Sequence, residues 1–395
     1  MTPLMLEKPA LRVGVVPLAD AVPIVVAQAK GFFARHGLDV EITLEHAWAA
    51  VRDKLSADRL DAAQMLAPMP LAATLGIDAV PTPMVAALTL NLNGNAIVVS
   101  NALHERLSAM RHSEEIGALG WAQALKRLIE SDRAGGRPQL VFSHVYTYSA
   151  HHYELRYWLA AGGIRPDYDL NLIVVPPPLA VAQLAAGRID GFCVGAPWGD
   201  VAERAGVGRR IVSKYQIWNN SPEKVLGVTR AWAEANPNTH LALVSALIEA
   251  SRWLDQAENR AEAARLLAET GYLEAAPECI TAALAPRAPD HPLGQGLVFH
   301  AGAAGFPWVS QARWFVEQMQ RWQQVLKTVD AAQTAAAVYR PDIYRAAAAR
   351  VGVSAPTVDY KSEGEHRLPW QLDGTDGVID MGPDCLLDAA LYRAK

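Results

Sequence analysis

The segment Leu55-Ser-Ala-Asp-Arg-Leu-Asp-Ala62 resembles Leu184-Ala-Ala-Gly-Arg-Ile-Asp-Gly191 along its length, at an offset of 129 residues from Leu55 to Leu184. The same offset carries the apolar run Leu11–Pro17 onto Leu140–Tyr146. Gly37-Leu38 has a counterpart, three residues early, in Gly163-Ile164. Segments that recur in the same order predict two copies of one supersecondary unit. That unit reads as strand, helix, strand. Leu11–Pro17 is valine-rich and extended. Pro23–His36 places Val26, Ala29, Phe32 and Phe33 at helical spacing, with Gly37 as its stop. Leu38–Leu44 alternates as a second strand, Trp48–Ala57 is a short helix, and Leu60–Met65 is a third strand. This rhythm predicts mixed, mostly parallel sheets covered by helices. Two such lobes enclose a cleft, a common seat for a small ligand.

At 395 residues the chain has room for two domains. The repeat and the return of the chain after Lys214 predict that they are interleaved. Residues 10–100 together with 218–395 are expected to form lobe I, and 101–217 lobe II. Asn101–Gly136 reads as helix plus surface loop. After lobe II, Asn238–Asp255, Glu258–Thr270, Val309–Thr328 and Asp342–Val351 read as helices. The Gly/Pro/Asp-rich tail from Ser354 is expected to wrap the surface.

Composition removes several function classes. The net charge of −5 argues against direct nucleic-acid binding. Three scattered cysteines make neither a disulfide scaffold nor a zinc site. No apolar run is long enough for a membrane span. Glu7, Lys8 and Pro9 interrupt any secretory leader before Leu11, so a cytoplasmic location is expected. A nucleophile elbow, a phosphate loop and a dinucleotide fingerprint are all missing. His151-His152 are adjacent and point about 100° apart on a helix, a poor metal pair. Cys193, in Gly-Phe-Cys-Val-Gly, reads as buried and inert. No catalytic residue, metal or cofactor is assigned, and the expectation is a binding protein.

Candidate ligand groups lie at strand ends, where open α/β sheets bind. Gln64 ends one repeat and Gly195 the other, at near-equivalent positions. Asn95 closes the polar stretch Asn91–Asn95, which joins strands or crosses between lobes. His151 stands in the first turn of a helix that Ser149 can cap. Gly195-Ala-Pro-Trp198 puts Pro197 at the first position of a second helix. Lys224 precedes the apolar strand Val225–Val228. Trp48 brings an indole N–H, a donor without an acceptor. Taken singly, each fits a bland role as well: a turn, a solvated side chain, core packing. Together they are donors with no carboxylate among them, which suits a small anion.

These segments resemble the nitrate- and bicarbonate-binding proteins of ABC transporters, the NrtA/CmpA family, and more closely its cytoplasmic nitrate/nitrite sensor branch, NasS. The carriers are residues 47–55, 60–71, 90–97, 151–164, 174–198 and 221–229. The resemblance implies a periplasmic-binding-protein-like (type II) clamshell without catalysis. By motif, it implies that Trp48, Gln64, Asn95, His151, Gly195 and Lys224 hold nitrate or nitrite. It also implies a partner, a NasT-like ANTAR antiterminator that binds RNA in place of this chain. Ala196 stands where transporter relatives carry glutamate, which the bicarbonate binders use in a calcium site. Its presence argues against calcium and bicarbonate.

Overall fold

A computed structural model describes residues 4–77, 79–288 and 290–393. Ten strands make two sheets: β1 (Ala10–Val15), β2 (Asp39–Leu44), β3 (Ala62–Leu66), β4 (Met84–Leu92), β5 (Asn95–Ser100), β6 (Val141–His144), β7 (Asn171–Val174), β8 (Gly191–Gly195), β9 (Gly208–Ser213) and β10 (Pro222–Thr229). Sheet one runs β2-β1-β3-β10-β4, and sheet two runs β7-β6-β8-β5-β9. The order is the same in both once β1, β2 and β3 are laid on β6, β7 and β8. β3 and β8 are 129 residues apart along their whole length.

The sheets are less parallel than expected. β1–β2, β1–β3, β6–β7 and β6–β8 are parallel. The other four pairings, β3–β10, β10–β4, β5–β8 and β5–β9, are antiparallel. Each lobe's βαβ unit takes in a strand from beyond a crossover, and that strand runs against it. β4 is buried along its full length, as a strand covered on both faces must be. Helices Pro237–Leu254 and Pro341–Arg350 pack against it.

The first crossover lies at Asn93-Gly94, earlier than the expected boundary after residue 100, because β5 pairs with β8 and β9 and so belongs to lobe II. Gly94 has φ 98°, and a Cβ there would meet Leu297 Cδ2 at 2.5 Å, so only glycine fits this crossing. The second crossover is the short helix Lys214–Ile217 and the turn to β10. The helix expected over 23–36 breaks at Gly31, φ 71°, into Val22–Ala29 and Phe32–Arg35. The segment expected as helix plus loop is two helices, Asn101–Met110 and Gly117–Ala134. The second is no surface decoration: its Ala118 carbonyl accepts from buried Trp158 Nε1 at 2.7 Å.

The tail does wrap, and it crosses both lobes. It forms a hairpin of Trp370–Gly374 and Gly377–Met381. Glu363 accepts from Trp218 Nε1 at 2.9 Å beside the second crossover. Farther on, Asp388 accepts from the Tyr157 hydroxyl of lobe II at 2.8 Å. Among the described residues no helix is long and apolar enough to cross a membrane.

Candidate functional site

All six sequence-selected residues converge at the facing ends of the two sheets. The register explains why. Lys224 of β10 stands opposite Leu66 of β3, and Asn95 of β5 stands opposite Gly195 of β8. Leu66 and Gly195 are the pair related by the repeat, and Gln64 corresponds to Cys193, not to Gly195 as the sequence suggested. Gln64 points from β3 to the same end. Its Oε1 accepts from Val16 N at 2.9 Å and its Nε2 donates to Asp20 Oδ1 at 2.5 Å. Trp48 opens the helix Trp48–Ser56 and lies 5.5 Å from the Lys224 ammonium, ring to cation. His151 enters from the helix Ala150–Ala161, where Ser149 Oγ caps by accepting from His152 N at 3.0 Å.

The site is sealed. Gln64, His151 and Lys224 are wholly buried, and Trp48, Asn95 and Gly195 nearly so. The lobes are joined across it by Ala19 N donating to Ala196 O at 2.9 Å, Arg52 to the Tyr146 hydroxyl at 3.0 Å, and Tyr148 to Ile77 O at 2.9 Å.

The expectation of a carboxylate-free donor set fails. Lys224 Nζ donates to Asp20 Oδ2 and to Glu223 Oε1, each at 2.8 Å. Glu223 also accepts from Asn95 Nδ2 at 2.5 Å, lies 3.0 Å from Lys214 Nζ, and lies 3.2 Å from His151 Nδ1. Lys214 in turn pairs with Glu154, one turn along the helix from His151. Asp20, Glu154, Glu223 and Lys214 were therefore missed. Two signals existed: Asp20 is the lone carboxylate of the apolar run Val13–Ala29, and Glu154 lies three residues after His151 on one helix face.

Burial sets the charge states. It pulls His151 down to about 3, so the imidazole is neutral. It raises Asp20 above the usual carboxylate range despite Lys224, and pushes Glu154 up to about 7. Burial acts upward on Glu223 as well, but the ammoniums of Lys224 and Lys214 and the hydrogen bond from Lys224 hold it well below that range. For Lys224 burial acts downward, but Asp20 and Glu223 more than offset it.

Among the six sequence-selected residues, three carry buried atoms without an aligned hydrogen bond: Trp48 Nε1, both ring nitrogens of His151, and Asn95 Oδ1; in the cluster behind them Glu154 Oε2 is another. A buried indole N–H without an acceptor costs about 1–3 kcal/mol, and at the facing ends of the two sheets it leaves a donor open to an acceptor from outside the protein. Pro197 is the N-cap of the seven-residue helix Trp198–Arg204, not its first helical residue. Cys193 is buried, and burial raises its thiol well above the ordinary value, so it is no nucleophile. His152 turns away from the site, its Nδ1 3.1 Å from His144 Nε2. Among the described residues no group of three or more His, Cys, Asp or Glu side chains could hold a metal.

Residues 5–268 match the NMT1-like family. The chain is 32% identical over 363 residues to the nitrate/nitrite binding protein NrtA of Nostoc sp. PCC 7120, covering 88% of this chain and 78% of that one. This chain belongs to the NrtA/CmpA family of nitrate- and bicarbonate-binding proteins. The crystal structure of the periplasmic nitrate-binding protein NrtA from Synechocystis PCC 6803 superposes with a TM-score of 0.84 at 28% identity, covering 98% of this chain and 96% of that one. The clamshell expected of an NrtA/CmpA protein is therefore the observed fold. The chain is also 37% identical to the nitrate import ATP-binding protein NrtC of Synechocystis sp. PCC 6803, over 93% of this chain and 53% of that protein. It spans about half the length of the NrtC and CmpC relatives it matches.

Proposed function

We propose that the chain binds nitrate or nitrite between its lobes and that the bound anion signals through lobe closure. The observation that carries this reading is the sealed convergence of Trp48, Gln64, Asn95, His151, Gly195 and Lys224, with Trp48 Nε1 and His151 Nε2 making no hydrogen bond in the protein. A planar oxyanion accepts from an indole N–H, a neutral imidazole N–H, a carboxamide N–H and an ammonium together. Relatives named as nitrate or nitrite binders support the choice of anion, and Ala196 favours it over bicarbonate. In this reading the chain is a cytoplasmic sensor of the NasS type. It holds a NasT-like ANTAR antiterminator in the open form and releases it on closing, so the partner, not this chain, contacts RNA. Closure can release the partner only if anion and partner prefer different lobe arrangements.

A second reading, the substrate-binding component of a nitrate ABC transporter, is favoured by the likeness to periplasmic NrtA and to NrtC. Size-exclusion chromatography of the chain mixed with a NasT-like protein separates the two. The sensor reading expects one complex peak that splits when nitrate is added. Separate peaks in both conditions, with nitrate still bound in calorimetry, would favour the transporter reading.

A further inference from the structure

Asp20 holds a particular place in the site. Its two carboxylate oxygens are bracketed by the very donors assigned to the anion: Gln64 Nε2 reaches Oδ1 at 2.5 Å and Lys224 Nζ reaches Oδ2 at 2.8 Å. A carboxylate, like nitrite or two arms of nitrate, is planar and shares one negative charge between oxygens. Asp20 is carried by the turn Ala19–Ala21, whose first amide makes the interlobe bond to Ala196. A Cβ on Gly195 would lie 3.6 Å from Asp20 Oδ2 and 3.4 Å from Asn95 Oδ1, so the carboxylate sits at the meeting of the lobes.

The groups facing Asp20 leave no spare positive charge. Lys224 and Glu223 face it from β10, Gln64 from β3, and Gly195 with Asn95 from the second lobe. Behind Glu223 stand Lys214, Glu154 and neutral His151. The buried cluster thus sets the ammoniums of Lys214 and Lys224 against the carboxyls of Asp20, Glu154 and Glu223. A further anion in so dry a place demands that a carboxylate give up its charge.

We propose that Asp20 is an internal counter-anion that occupies the ligand's seat, and that nitrate or nitrite takes that seat only as Asp20 takes up a proton. The proton comes from solvent as the lobes part. The neutral carboxyl then gives up the Lys224 ammonium to the anion and can donate its own O–H to it. Burial already favours the neutral carboxyl, since it raises Asp20. The inference rests on the nitrate-or-nitrite reading above. Its sign is fixed: affinity rises as pH falls through the Asp20 titration, by up to about tenfold per pH unit for one linked proton.

Calorimetric titration with sodium nitrate and sodium nitrite, at pH 6, 7 and 8 in buffers of different ionisation enthalpy, counts the protons taken up. The wild-type chain is expected to absorb close to one proton per anion at pH 8 and to bind progressively tighter toward pH 6. Asp20→Asn is expected to bind at least as tightly as wild type at pH 8 and to lose the pH slope. Anion binding by the wild type without proton uptake overturns the inference while leaving the ligand reading intact. So does an unchanged slope in Asp20→Asn, which would move the proton to Glu154 or His151. Failure of both proteins to bind either anion at any of these pH values overturns the ligand reading and this inference with it.

Discussion

Lys224 and Asn95 are counterparts across the molecule: each sits on the antiparallel strand after a crossover, opposite residues 66 and 195, which the internal repeat relates. Glu223 joins them, accepting from Lys224 Nζ at 2.8 Å and from Asn95 Nδ2 at 2.5 Å. One carboxylate of lobe I thereby touches a candidate ligand residue in each lobe.

That geometry ties the proposed anion contact of Lys224 to the stability of the fold. Lys224→Ala leaves Asp20 and Glu223 buried with one ammonium fewer. Removing one partner of a buried pair costs about 3–5 kcal/mol. The expected outcome is a lower urea midpoint and no nitrate binding by calorimetry. Unchanged affinity would remove Lys224 from the site.

Gly195→Ala separates binding from folding. Its new Cβ meets Asn95 Oδ1 and Leu18 Cδ2, each at 3.4 Å, one from each lobe. Those contacts are tolerable within the sheet but press on the closing surface. Nitrate affinity is expected to fall by about tenfold, some 1.4 kcal/mol, with little change in Tm. Calorimetry and a thermal melt on the same sample check both halves.

Buried neutral histidines govern acid stability. Burial pulls His240 down to about 4, and neither the anion site nor a crossover uses it. Its folded value lies below the unfolded one of about 6.5, so the unfolded chain binds the proton first and stability is lost as pH falls below that point. At pH 5 the loss amounts to about 2 kcal/mol. His240→Phe is expected to shrink the drop in unfolding free energy between pH 7 and pH 5 by that amount. Urea titrations at the two pH values measure it, and an unchanged drop would show that His240 is protonated in the folded chain.

Much of this was legible in the residues, and the misses share causes. The repeat at offset 129 carried both βαβ units and the facing strand ends. The boundary went astray because the apolar run Ala96–Val99 reads the same in either sheet; only pairing with β8 and β9 assigns it. Asp20, Glu154 and Glu223 escaped because a search for anion ligands selects donors, whereas burying two lysines requires acid partners that spacing along the chain does not reveal. Glu223 directly precedes Lys224, yet neighbours on a strand normally face opposite ways. Here the β10–β4 register shifts on either side of Lys224, and both side chains reach one cluster.

The orphan donor of Trp48 offers the most direct test of an anion seat between the lobes. Trp48→Phe keeps a ring beside the Lys224 ammonium and removes only the indole N–H that has no acceptor in the protein. A hydrogen bond to a charged group is worth about 1.5–3 kcal/mol. Calorimetric titration with nitrate is therefore expected to show affinity falling by about tenfold or more, while the Tm holds or rises. Unchanged nitrate affinity in Trp48→Phe would contradict the account.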